Sequence, residues 1–342
     1  MRRVLFIGGP GNLSAPAAAQ VLDRGLELAI FTLPESPGGG LEPRVRFFRG
    51  NRDDTAELHK AVAAFRPDAV VDFVCFRPEQ AAAAAQTLAG AVEQYVFVST
   101  VDAYGYPLSR LPMRESDPLG TPVGSYAKLK RECEDVLASA AAAGLPLTIV
   151  RPSYSFGREF LLAFVSYPGA SHFVPRLRAG RPILVPGDGT TLIHAGCAAN
   201  AGRMIGWVAA SPASVGKSYN IAHDTFTTHD EYVRTIARVV GVEPRLVHVP
   251  TDLLLALGSP EVEKSVVPTL HRFNLAFSVE QFRADFPQFT WDVSIEEGIA
   301  EHLAHAQSAG AIPAEWRPAG EDRIVELWQR HAERIVAEFH AE

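Results

Sequence analysis

The chain has 342 residues, a net charge of −7, 47% apolar and 21% charged side chains. That excludes a disordered chain and leaves room for one large domain or two modest ones around a sizeable core. The acidic balance argues against a nucleic-acid partner; the three scattered cysteines (Cys75, Cys133, Cys197) suit neither a disulfide framework nor a metal site, and no apolar run reaches the roughly 18 residues of a membrane span.

The N-terminus enters a strand-like run at once, without signal-peptide features, so a cytoplasmic chain is expected. Val4–Gly9 is a short apolar run, followed by a Gly-rich turn and a helical pattern from Ser14 to Arg24. Glu27–Leu33 and Val45–Gly50 read as strands, and Thr55–Phe65 as a helix. Ala69–Val74 is a strand, apolar except at Asp72, and Glu79–Gly90, with five consecutive alanines, is a helix. Gln94–Thr100, Tyr126–Ala143 and Leu147–Pro152 follow as strand, helix and strand. Apolar strands alternating with helices predict a parallel sheet covered on both faces, an α/β doubly wound (Rossmann) fold.

Beyond Pro152 glycine and proline become frequent (Pro168, Gly169, Pro175, Gly180, Pro182), which marks a loop-rich stretch. Ser218–Ala222 reads as one more strand, and 229–241, 252–257, 279–284 and 294–308 as helices. Glu321–Phe339 repeats apolar residues at helical spacing and is expected to be a packed terminal helix. The expected organisation is a sheet domain over 1–153 with a returning strand near 216–222. A smaller, mostly helical substrate domain over 154–342 is interleaved with it.

The first turn reads Gly8-Gly-Pro-Gly11-Asn12-Leu13-Ser14, between a strand and a helix. In that context Gly8 permits a tight turn, Gly11 admits a pyrophosphate, and free helix amides face the anion. Neither the acid that would read adenosine ribose nor the arginine that would read a 2′-phosphate stands after strand two. Thr32 can bond a ribose hydroxyl there, and the missing arginine tilts the reading to NAD with NADP left open. Asn51 and Arg52, after strand three, suit the adenine edge or a phosphate. Phe73, Val74 and Cys75, after strand four, flank the same crevice.

Tyr126 and Lys130 lie four apart on one helix and share a face. A phenol of pKa about 10 costs about 4 kcal/mol to ionise at pH 7. An ammonium about 4 Å away returns about 4 kcal/mol at an effective dielectric of about 20. Lys130 is therefore expected to prepare Tyr126 as a base toward a substrate hydroxyl. The hydroxyls of Ser99 and Thr100 end the preceding strand.

These residues together resemble the extended short-chain dehydrogenase/reductase family, in its NAD-dependent epimerase/dehydratase branch. The match rests on Gly8-x-x-Gly11, Val96-Phe-Val-Ser-Thr100-Val-Asp-Ala-Tyr104-Gly105, Ser125-Tyr126-x-x-x-Lys130 and Arg151-Pro152-x-x-x-Phe156-Gly157. The resemblance implies a catalytic set of Thr100, Tyr126 and Lys130, a hydride moving between nicotinamide and a sugar carbon, and a homodimer. It also implies cofactor contacts at Pro152 and Tyr154. Asp102 stands where sugar dehydratases of the family carry a proton-abstracting glutamate. Val101 lacks the companion acid, so the resemblance implies an epimerase of a sugar or nucleotide sugar before a dehydratase. Tyr154 replaces the asparagine common among nucleotide-sugar members. An NADPH-dependent ketone reductase and a non-catalytic dinucleotide-binding protein are the alternatives.

In the second half His172, Arg176 and His194, with Tyr154, are candidate substrate contacts: histidines as acid or base, arginine as a bidentate clamp on phosphate or carboxylate. Arg151 is expected to brace the sheet.

Overall fold

The computed structural model describes residues 2–41, 43–157 and 170–341. Its elements are β1 (Arg3–Ile7), α1 (Ser14–Asp23), β2 (Glu27–Thr32), β3 (Arg46–Arg49), α2 (Thr55–Phe65), β4 (Ala69–Asp72), α3 (Pro78–Leu88), β5 (Gln94–Val98), α4 (Ser125–Ala142) and β6 (Leu147–Pro152). There follow β7 (Tyr154–Phe156), α5 (Ala170–Arg178), β8 (Ile183–Pro186), β9 (Leu192–Ile193), β10 (Ala195–Cys197), α6 (Ala198–Val208), β11 (Ser218–Ile221), β12 (Thr227–Thr228), α7 (His229–Val240) and β13 (Leu246–Val249). The last are α8 (Thr251–Ala256), α9 (Pro260–Glu263), α10 (Glu280–Asp285), α11 (Ile295–Ser308) and α12 (Gly320–Ala341). Pro168 and Gly169, read as loop, lie outside the described residues. Among the described residues no helix is long and apolar enough to cross a membrane, and no cluster of His, Cys, Asp and Glu forms a metal site.

The chain folds as two compact units. The first comprises residues 1–155, 195–224 and 277–294. Its seven-stranded parallel sheet has the order β11-β6-β5-β4-β1-β2-β3. The strand period of two splits each apolar run between two cores. Val4 and Phe6 of β1 face α1 and α6, whereas Leu5 and Ile7 face α2, α3 and α4. The winding reverses between β1 and β4, which opens a crevice at the carboxyl ends of those strands.

Helix α6 was not anticipated. Its sequence, AANAGRMIGWV, is small and apolar almost all round, so no polar stripe betrays the helical period. It lies close against α1: a Cβ on Gly202 would sit 2.4 Å from both the Leu13 carbonyl oxygen and Pro16 Cγ. Arg24 ties the far ends together by donating to the carbonyls of Gly206 and Ala209. Segments 195–215 and 277–294, placed with the second half on sequence, group with the sheet.

The second unit comprises 156–194, 225–276 and 295–342. It holds the parallel pair β8–β13, the antiparallel pair β9–β12 and most of the remaining helices. Helix α5 stands where a loop was expected, because Pro175 falls inside it. The N-terminal turns of α12 are buried at Glu321, Ile324 and Val325, but Ile335, Val336 and Phe339 are exposed. The expected packed terminal helix is therefore packed over its first turns. His229, at the start of α7, and His271 are fully buried with ring centroids 5.0 Å apart. Burial holds both imidazoles neutral: His229 is pushed down to about 4, and His271 well below its ordinary value.

Two outcomes follow from this packing. Gly202→Val should lower the unfolding free energy by about 1–3 kcal/mol through overpacking of α6 on α1. A urea midpoint equal to the parent's would mean the helices separate freely. Because the folded state resists protonating His229, stability is full above about 6.5 and falls as the pH drops toward about 4. His229 alone accounts for roughly 3 kcal/mol of that loss. Denaturant melts across this range check it: His229→Phe should flatten the profile, and a flat profile in the parent, or a slope unchanged in His229→Phe, contradicts it.

Candidate active site

The glycine turn sits at the crevice. Gly8 has φ +88°, and a Cβ there would lie 2.5 Å from Val74 Cγ1, so only glycine lets the β1–α1 turn meet the segment after β4. Ser14, the first residue of α1, accepts the Gly11 amide on Oγ at 2.8 Å. That closes the turn and removes one amide expected for the pyrophosphate. The remaining amides at the start of α1, from Asn12 and Leu13, have no acceptor within the helix. A Cβ on Gly11 would meet nothing nearer than Ser14 Oγ at 3.7 Å. An open backbone surface at a helix N-terminus fits a dinucleotide pyrophosphate. Asn12 holds the turn by donating its side-chain amide to the Ser155 carbonyl at 3.0 Å.

The other strand ends carry several corrections. Thr32 ends β2 as expected and is buried. Asn51 is exposed, with its side-chain oxygen accepting the Asp53 amide. Arg52 is not a free phosphate ligand. Its guanidinium bonds the buried Asp72 carboxylate at 3.1 Å and the Val74 carbonyl at 3.2 Å, tying the β3–α2 loop to the end of β4. Phe73 packs edge-on against Phe6, Val74 touches the glycine turn, and the Cys75 thiol is buried in the core. Cys75 contributes to the site through its carbonyl instead.

That carbonyl and the one of Val98 each accept from Lys130 Nζ at 2.8 Å. The ammonium is 1% exposed and lies over the rings of Phe76 and Phe97. Lys130 therefore faces inward, whereas the Tyr126 side chain, one turn earlier, is 49% exposed. The expected depression of the Tyr126 phenol does not appear. Burial of the hydroxyl and the Asp102 carboxylate push it up to about 12, opposed by a hydrogen bond with Thr100. The physical reason is that Lys130 spends its donors on main-chain carbonyls, which satisfy an ammonium that burial would otherwise penalise.

Thr100 caps the short 3₁₀ turn Val101–Tyr104 by accepting the Asp102 amide at 3.2 Å. Its hydroxyl donates back to Asp102 Oδ2 at 3.2 Å, and Tyr106 donates to Asp102 Oδ1 at 2.7 Å. Burial pushes the Asp102 carboxyl up despite those two bonds. Thr100, Asp102 and Tyr126 thus form one cluster. Ser99 turns away from it: its hydroxyl donates to Glu134 Oε1 at 2.5 Å. Glu134 in turn takes a bidentate pair from Arg151, at 2.9 and 2.7 Å. Arg151 also donates to the Tyr104 hydroxyl, which donates to Asn220. Arg151 braces the sheet, as expected. Pro152 ends β6 at its carboxyl edge, and Tyr154 follows, half-buried.

Comparison with known proteins bears on this geometry. The model of the NAD dependent epimerase/dehydratase family matches residues 4–222, which carry the glycine turn, the hydroxyl cluster and β11. The chain belongs to the NAD dependent epimerase/dehydratase family. A chloroplast stem-loop binding protein of 41 kDa from Arabidopsis thaliana is 25% identical over 261 residues, covering 72% of this chain and 66% of that protein. A UDP-glucose 4-epimerase from Lactobacillus helveticus is 27% identical, covering 44% of this chain and 50% of that protein. A 2′-dehydrokanamycin reductase from Streptomyces kanamyceticus is 29% identical, covering 56% and 54%. The chain thus spans about half to two thirds of the length of these curated relatives. Among solved structures, the Thermus thermophilus UDP-glucose 4-epimerase complex with NAD has a TM-score of 0.66 at 20% identity, covering 90% of this chain and 99% of that one. The Bacillus anthracis dTDP-glucose 4,6-dehydratase complex with NAD has a TM-score of 0.69 at 17% identity, covering 90% and 97%. These last two likenesses concern the fold.

In this family member the second-half candidates are occupied within their own unit. Arg176 is fully buried, donates to the Pro182 carbonyl and pairs with Asp322 at 2.9 Å and Glu321 at 3.4 Å. His172 lies 3.9 Å from Glu321, its pKa lowered by burial. Arg176 anchors the start of α12, His172 packs beside it, and neither presents an open clamp. His194 is 2% exposed, edge-on to Phe226. Sequence reasoning passed over Glu134 and Tyr106. Glu134 carried a signal, since Tyr126, Lys130 and Glu134 recur every four residues on one stripe of α4.

Removing one partner of the Glu134–Arg151 pair leaves an uncompensated buried charge. Glu134→Leu should therefore lower the unfolding free energy by about 3–5 kcal/mol, read from denaturant melts. A loss below about 1 kcal/mol would mean that the pair does not hold α4 to β6.

Proposed function

We propose that this chain is an NAD-dependent enzyme that oxidises a sugar-like hydroxyl to a transient ketone and reduces it again, with epimerisation of a sugar or nucleotide sugar as the net reaction. The observation that carries the reading is the placement of Thr100, just past the carboxyl end of β5, and of Tyr126, at the start of α4, in the unit that carries an open glycine turn. The turn, with the amides of Asn12 and Leu13, holds the pyrophosphate; Thr32 bonds a ribose hydroxyl. Bound NAD supplies the acceptor and later the donor of the hydride. Tyr126 takes the substrate's hydroxyl proton, and Thr100 orients both oxygens. Lys130 contributes a fixed positive charge from beneath. Asp102 has no acidic neighbour at Val101, which favours epimerisation over elimination. A homodimer belongs to this reading.

The reductase reading is favoured by the Streptomyces relative, and a nucleic-acid role by the Arabidopsis relative, against which stands the net charge of −7. The deciding experiment releases whatever the purified protein carries and then supplies UDP-glucose and related sugar nucleotides. The proposal expects near one NAD per chain and no net cofactor consumption during turnover. Stoichiometric consumption of NADPH instead selects the reductase. Tyr126→Phe should lower turnover by about 10²–10⁴-fold while the retained NAD stays unchanged. Full activity in that variant would remove the mechanism.

A further inference from the structure

We propose that the outer half of α12 is a self-association surface, on which a second copy of this chain lays its own α12 in antiparallel orientation. The site chemistry proposed above is not needed for it.

The apolar residues of α12 keep one register. Val325, Trp328, Ala332, Ile335 and Phe339 follow one another at alternating steps of three and four, the repeat of a coiled-coil seam. The seam starts in the core and runs into solvent. Val325 is buried, Trp328 and Ala332 are half-buried, and Ile335 and Phe339 are 63% and 77% exposed. From Gln329 to Ala341 every residue except Ala332 is exposed. The first turn is fastened by Arg176, which pairs with Glu321 and Asp322. Two ion pairs one turn apart in sequence, Arg330–Glu326 at 2.5 Å and Arg334–Glu338 at 2.7 Å, support the helix beyond it. The outer half is thus presented already formed, and little ordering entropy opposes a partner.

The charges select a second copy as the occupant. Over residues 329–341, Arg330 and Arg334 balance Glu333 and Glu338, so two such faces meet without the repulsion that −7 per chain would impose elsewhere. A membrane surface calls for a polar face rich in lysine and arginine, which this balanced face is not. In an antiparallel pair the seam sets Ala332 against Ile335 of the second copy, and Trp328 against Phe339. The same register sets His331 opposite Glu338 of the second copy, twice by symmetry. Arg334 occupies Oε1 of Glu338, which leaves Oε2 for the imidazole, a donor whether neutral or charged. Gln329 meets Val336 on the other flank, and no like charges face each other. A parallel pair on the same seam sets His331 beside Val336 instead and loses both charge-assisted contacts.

Sedimentation of the full chain over a range of concentrations tests this, with circular dichroism as the check on folding. The double variant Ile335→Asp, Phe339→Asp changes only exposed positions. It should weaken self-association by about 100-fold or more, since each residue acts twice in a symmetric interface, and halve the mass of the assembly. A parent that stays a single chain at the highest concentration reached overturns the proposal, as does an assembly whose mass the double variant leaves unchanged. A single-chain parent that binds phosphatidylserine-containing vesicles through these residues assigns the face to a membrane instead. For the orientation, His331→Glu and Glu338→Lys should each weaken the pairing about 3-fold or more, and the two together should restore it. Two losses that simply add overturn the antiparallel register. Phe339→Cys should form no disulfide between copies on oxidation, because antiparallel helices hold the two positions about 16 Å apart along the axis. A disulfide formed readily there overturns the orientation independently.

Discussion

The Glu134–Arg151 pair is the constraint on which the site depends. Two unit charges are taken out of water between α4 and β6, at 2.7 Å, with 4–6% of their side-chain surface exposed. Burial opposes the charge on Arg151, but the bonds and charge of Glu134, with Tyr104, push its pKa above the ordinary guanidinium value. Such a pair is tolerated when its remaining lone pairs and protons are also satisfied. Ser99 takes one carboxylate oxygen, Tyr104 takes a guanidinium nitrogen, and Asn220 continues the network to the carbonyls of Met113 and Ser278. The network fastens α4, β5, β6 and β11 at one level. Tyr126 and Lys130 ride on α4, and Thr100 follows β5, so their relative positions are set by a bond that none of them makes.

A second regularity concerns where positive charge goes. Lys130 is bound by carbonyls, Arg52 by Asp72, and Arg151 by Glu134. The first unit thus uses its basic residues near the crevice as internal struts. What remains at the carboxyl end of β5 is a set of hydroxyls with one carboxyl, of which Thr100 and Tyr106 are buried and Tyr126 is exposed. These side chains by themselves disfavour the phenolate, and Tyr126 is accordingly pushed up to about 12; the positive nicotinamide ring of the proposed NAD would act in the opposite direction. The low ionisation expected from Tyr126 and Lys130 spacing assumed a free ammonium. Spacing reports a shared helix face but not which way a long side chain turns once carbonyls compete for it.

Much of the fold was legible because it obeys local rules. The apolar strand runs, the helices between them and the glycine turn fall within a residue or two of their expected places from β1 to β6. What escaped followed no local rule. Helix α6 is buried on nearly every side, and its partly exposed stripe, Ala199, Arg203 and Trp207, carries a single charge. Helix α5 contains a proline that reads as a breaker. Arg176 and His172 looked like surface ligands because their partners, Glu321 and Asp322, lie more than a hundred residues away.

The sequence by itself determined the parallel α/β core, the crevice that its winding creates, and the shared helix face of Tyr126 and Lys130. These depend on periodicity and spacing, which are properties of the chain alone; the roles proposed for Thr100, Tyr126, Lys130 and Asp102 rest on the family resemblance. Only the tertiary structure decided what each group is bonded to: Lys130 to carbonyls, Arg52 to Asp72, Ser99 to Glu134, and Asp102 to Thr100 and Tyr106. The physical reason is competition. A buried polar atom takes whichever partner the packing brings within about 3 Å, and of these partners the last two are local in sequence, whereas the others come from separate strands and helices.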